Sequence, residues 1–93
     1  MSIVSFKVTI SNGSGDVSIS IFDHLISFEH FFPTSGTWNQ DLHAGHYLIN
    51  IAGTCPPGGS VAINITGIQS CGKQLPIIIS KGGPFIIGTD INV

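Results

Sequence analysis

Apolar and polar residues alternate with a period of two along most of this chain, the pattern of strands that bury one face and wet the other. Val4, Phe6, Val8 and Ile10 fall on one side of a first segment, with Ser5, Lys7 and Thr9 opposite. The run Ser11-Asn12-Gly13-Ser14-Gly15-Asp16 has turn composition, and Val17, Ile19 and Ile21 then alternate with Ser18 and Ser20. The two segments are predicted to form a hairpin. A third strand is predicted over Leu25 to Phe32, with Ile26, Phe28 and Phe32 opposing Ser27, Glu29 and Phe31, and Pro33 to Gly36 ends it. A short strand over Thr37 to Gln40 and a turn over Leu42 to Gly45 follow. The next two strands are the clearest: Tyr47, Ile49 and Ile51 against His46, Leu48 and Asn50, then Val61, Ile63 and Ile65 against Ala62, Asn64 and Thr66. Between them, Gly53 to Gly59 reads as a loop.

Two apolar runs, Ile77-Ile78-Ile79 and Phe85-Ile86-Ile87, break the alternation and predict either burial on both faces or a contact between subunits. The isoleucine and valine content favours strand over helix throughout. Seven or eight short strands separated by Gly, Pro and Asn turns predict an all-β fold, a single small antiparallel β-sandwich of jelly-roll-like or Ig-like type spanning residues 1–93. A domain of this length buries a modest share of its surface, so a disulfide or oligomerisation is expected to add stability.

Charge narrows the partners. Only 9% of the 93 residues are charged, against about 25% in ordinary soluble domains, and the cations are Lys7, Lys73 and Lys81 with no arginine. Phosphate recognition needs clustered cations, so nucleic acid is excluded as a partner, and polybasic membrane attachment falls with it. Membrane insertion by an apolar helix is excluded too, since no run of about 18 apolar residues occurs. With so little charge to hold copies apart, a homo-oligomer is expected. Lys7 and Lys81 are candidate guards of exposed sheet edges. The N-terminal Met1–Lys7 alternates like a strand and lacks a basic region followed by an apolar stretch, so no cleavable secretion signal is expected there. The Ser/Thr/Asn/Gly-rich composition nonetheless suits an extracellular or particle-associated module.

Cys55 and Cys71 both fall in apparent loops and are compatible with one disulfide or two free thiols. Their spacing does not suit a cysteine zinc site. Asn12-Gly13-Ser14 and Asn64-Ile65-Thr66 match the N-glycosylation pattern, although Asn64 lies inside a strand.

The stretch Leu42-His43-Ala44-Gly45-His46-Tyr47-Leu48-Ile49-Asn50-Ile51-Ala52-Gly53, followed by Gly59-Ser60-Val61-Ala62-Ile63-Asn64-Ile65-Thr66, resembles the aGxYxvxv-loop-GxVxvxi hairpin of bacterial pre-peptidase C-terminal domains and related jelly-roll-like modules. The resemblance implies a β-sandwich of the kind attached to secreted enzymes and implicated in carbohydrate or surface binding. The acidic cluster of that family, two aspartates close to an aromatic, is missing from residues 42–66. A tyrosine placed like Tyr47 packs its ring at a sheet corner and bonds backbone through its hydroxyl.

Three groups of residues are candidates for a site. Trp38, Asn39, Gln40, Asp41 and His43, within an apparent loop 37–43, combine an aromatic face with amide and carboxylate groups, the equipment of a carbohydrate-binding, lectin-like site. The competing role for Trp38 is a core anchor with its indole N–H satisfied. His43 and His46, three apart, are candidate metal ligands with Asp41 or a histidine of the third strand, or members of a pH-sensitive cluster at a symmetric interface. His24 and His30 share a strand face but lie about 20 Å apart along it, too far to share one ion. Asp16, Asp23, Asp41 and Asp90 form no calcium loop of the D-x-[DN]-x-[DN]-G type.

No cofactor is expected. Catalysis has no anchor either, because neither a G-x-S-x-G elbow nor a phosphate loop occurs. The expectation is therefore a non-catalytic module that self-assembles and recognises glycans, a protein or a cell or particle surface. The alternative is a purely structural subunit of a particle or appendage. A small hydrolase stands third and would need a deep pocket with convergent titratable groups.

Overall fold

The computed structural model describes residues 2–93, and Met1, with its part in the reading of the N-terminus, lies outside the described residues. Nine strands are present among them: β1 (Ser2–Ser11), β2 (Asp16–Phe22), β3 (Ser27–Phe32), β4 (Gly36–Leu42), β5 (His46–Cys55), β6 (Ser60–Thr66), β7 (Ser70–Cys71), β8 (Ile77–Ile79) and β9 (Gly83–Asn92). They form two antiparallel sheets packed as a sandwich, one in the order β4-β1-β6-β8 and the other β3-β2-β5-β9-β7. The core between them follows the period-two pattern residue by residue: Val4, Phe6 and Val8 from β1 meet Val17, Ile19 and Ile21 from β2. Apart from the Tyr47 hydroxyl and the Cys55 thiol, the buried side chains among the described residues are hydrocarbon, so the two sheets are packed chiefly by apolar contact.

The predicted hairpin of the first two strands does not form. β1 and β2 lie in different sheets, and residues 12–15 carry the chain across the sandwich, with Asn12 in the left-handed region at φ 61°. Alternation tells which face of a strand is buried and says nothing of its neighbour, so a corner and a hairpin look alike in sequence. The same holds for β5 and β6, the strands of the segment 42–66, which lie in different sheets. Only β2 and β3 are joined within one sheet; every other connection crosses over.

Three local expectations also change. The short strand expected over Thr37 to Gln40 is longer, Gly36–Leu42 being strand β4, fully paired with β1, so of the apparent loop 37–43 only His43 lies outside a strand. Cys55 and Cys71 end β5 and form β7 rather than lying in loops, and both thiols are free. Lys7 guards no edge, since β1 is an interior strand between β4 and β6.

The third strand starts at Ser27, two residues later than predicted, because Asp23 turns the chain first. Its Oδ1 accepts the N–H groups of Leu25 and Ile26, each at 2.8 Å, and its own N–H donates to the Ile26 carbonyl. Those amide donors hold the Asp23 carboxyl below its ordinary value of 3.8. A folded-state pKa below the unfolded one means that this contribution is complete above the ordinary carboxylate range and is lost as pH falls through the folded value. An NMR titration is expected to give an Asp23 midpoint below 3.8, with the Leu25 and Ile26 amide shifts moving at the same midpoint; a midpoint at or above 3.8 would exclude the capping role.

Candidate functional site

Strand β4 divides the first candidate group. Trp38 lies opposite Phe6 and Gln40 opposite Val4, both on the core side of β1, whereas Asn39 and Asp41 lie opposite Ser5 and Ile3 on the outer face. His43 falls beyond the strand, at one end of the sandwich. The five residues are thus spread over two faces and a loop.

Trp38 is half-buried against the core. Its ring stacks on Phe6 at a centroid distance of 5.1 Å and on His30 of β3 at 5.4 Å, with interplanar angles of 26° and 15°. The indole closes the open side of the sandwich between edge strands β4 and β3. These two stacking contacts engage the indole within the fold and reduce the ring surface it offers to a ligand. Asn39 accepts a hydrogen bond from Ser5 at 2.6 Å on the outer face.

His43 and His46 do come near one another, at the end where the β2–β3 turn meets the β4–β5 loop. With Asp23, His24, Leu25 and Tyr47 they line a depression of about 610 Å³, which shares Asp23, His24 and His46 with a neighbouring one of about 390 Å³. His24 was not part of the predicted pair; the sequence places it far from residue 43, and only the meeting of two loops unites them. His46 Nε2 lies 2.7 Å from Asp90 Oδ2. Tyr47 is buried, and its hydroxyl donates to the His43 carbonyl at 2.8 Å, the corner role expected of it. Burial, with a smaller effect of the Asp23 charge, raises its phenol above the ordinary value and keeps it a donor. Among the described residues, no three His, Cys, Asp or Glu side chains are arranged to hold a metal ion.

The cysteines are remote from each other. Cys55 pairs with Gly83 and Cys71 with Ile91, at opposite ends of β9. At the rise of an extended strand these positions are about 27 Å apart, against the roughly 4.4–6.8 Å that a disulfide spans.

The two apolar runs are not buried on both faces. Ile77 is buried while Ile78 is exposed on the outer face, and Ile86 of β9 is 79% exposed between the half-buried Phe85 and Ile87. β9 is moreover an open edge for most of its length. It pairs with β5 along all ten residues, but β7 covers only Ile91 and Asn92 on the other side. Beyond β7, the Gly72 N–H reaches the Asp90 carbonyl, and the Gln69 N–H reaches that of Asn92. Backbone groups of a strand alternate in direction, and the β5–β9 register is unbroken. The N–H and C=O groups of Ile86 and Gly88, with the C=O of Pro84, therefore point to the same side as those of Asp90 and Asn92, where β7 does not reach.

No protein-family model, curated protein or solved structure matches the chain. The resemblance of residues 42–66 to pre-peptidase C-terminal domains accordingly rests on those residues alone, and function has to be argued from the surfaces just described.

Proposed function

We propose that this chain is a non-catalytic β-sandwich assembly module whose copies associate through the open edge of β9. The observation that carries this reading is the combination of unpaired backbone groups and exposed isoleucine along Pro84–Gly88. Sheet proteins normally blunt such an edge with charge, proline, a bulge or brevity. Here Pro84 and Lys81 guard only the beginning, no charged residue occurs from Gly82 to Thr89, and the strand is ten residues long. Low overall charge supports the same reading, since copies of a chain with net charge −2 repel weakly. The histidine-lined depression supports binding more than chemistry. It is open to solvent, and the carboxylates lining or bordering it are already engaged, Asp23 with backbone amides and Asp90 with His46. Sugar recognition through Trp38 is the less supported version, because the indole is already stacked on Phe6 and His30 within the fold.

Light scattering tests the reading. The wild-type chain is expected to run above its protomer mass of 9.8 kDa at micromolar concentration, and Ile86→Lys is expected to return it to that mass with an unchanged circular dichroism spectrum. A wild-type monomer, or an Ile86→Lys oligomer of unaltered mass, would overturn it.

A further inference from the structure

We infer, resting on the assembly reading above, that the occupant of the β9 edge is a second copy of β9, paired antiparallel about a two-fold axis at Ile86. The dimensions of the edge select this occupant. The free stretch is closed at one end by β7 and the Gly72 N–H on Asp90, and at the other by Pro84, which has no N–H to offer. Five residues remain, Pro84 to Gly88, with Ile86 at their centre. A longer foreign strand would run into β7. A second copy presents an equal stretch with its own β7 at the far end, where it clears the first.

The side chains are self-complementary in that register. Ile86 meets Ile86 of the second copy on the outer face, which covers the most exposed apolar group of the edge. On the core side Phe85 comes opposite Ile87, an aromatic against a β-branched residue, a favourable cross-strand pair. Ile86 exchanges two backbone hydrogen bonds with its counterpart, and each Gly88 N–H meets a Pro84 carbonyl, giving four bonds in all. Lys81, just before β9, is brought toward the end of the partner strand that carries Asp90, so the charges at the rim are opposite in sign. The strands β3-β2-β5-β9 of each copy then run through the seam as one eight-stranded order, each β7 lying beside the end of its own β9, an isologous contact that closes on itself and leaves β9 no further free edge.

The pairing is tested by cross-linking Ile86→Cys in a Cys71→Ser background, Cys55 being fully buried. Opposed residues in a hydrogen-bonded pair have Cα atoms about 5.5 Å apart, within disulfide range. Mild oxidation is expected to convert most of the Ile86→Cys protein to a covalent dimer, and Gly88→Cys in the same background to link far more slowly. A chain that is oligomeric by light scattering yet links through Gly88→Cys and not through Ile86→Cys would overturn the register while sparing assembly. A chain that is monomeric by light scattering and does not link at all would overturn both.

Discussion

Replacing Phe6 by alanine is expected to cost about 3–5 kcal/mol of folding stability, the range for deleting a buried aromatic ring. Phe6 is inaccessible to solvent in the middle of β1, opposite Trp38 on one side and Ile65 on the other. The cavity left behind closes poorly, because β1 is held by hydrogen bonds to β4 on one side and to β6 on the other. A domain of this size has a total stability of the order of 5–15 kcal/mol, so the loss is a large part of the whole. Urea unfolding should show a lower midpoint at unchanged slope, and the Trp38 emission should shift to longer wavelength as the indole loses the ring stacked on one of its faces. Phe6→Leu should recover most of the loss. A cost under 1 kcal/mol for Phe6→Ala would mean that the two sheets are not packed through this ring.

The second large effect is a matched pair of glycines. Gly53 lies in β5 between Val17 of β2 and Phe85 of β9. A Cβ there would overlap the carbonyl oxygen of Asp16 and approach Val17 Cα to 3.0 Å. These are backbone atoms that cannot rotate away, so Gly53→Ala is expected to cost more than the about 1–3 kcal/mol of ordinary overpacking. Gly88, in the neighbouring strand, has room: its added Cβ would meet only Asn50 Oδ1, at 3.6 Å. Gly88→Ala is expected to be neutral or stabilising by up to about 1 kcal/mol, since alanine has less freedom to lose on folding. Thermal melts of the two variants side by side separate a steric requirement from a merely permissive glycine; equal melting temperatures would contradict the close approach of β5 and β2.

The proposed assembly through β9 would give the irregular apolar runs a physical meaning. Ile86 sits out of phase with the core pattern, and on the proposed pairing its burial would be completed by another molecule. Ile78 on β8 is exposed in the same manner, so both runs carry one apolar residue more than their own sandwich can use.

The sequence by itself determined the strands with one buried face. Val4, Phe6, Val8, Val17, Ile19, Ile21, Ile49 and Ile51 are all buried where alternation put them, because a side-chain period of two is a local property of extended backbone. The sandwich followed from the number and brevity of such strands, and the corner role of Tyr47 from its place beside a glycine turn. What only the tertiary structure decided is adjacency. That β1 and β2 separate into different sheets, that Trp38 stacks on Phe6 and His30, that His24 joins His43 and His46, and that the two cysteines stand at opposite ends of β9 all depend on which strand lies beside which. Those choices are made by the packing of two whole sheets and by loops that cross between them, where no local repeat records the partner. The β9 edge is the sharpest case: its apolar run was legible, but its openness is a property of what β7, two residues long, fails to cover.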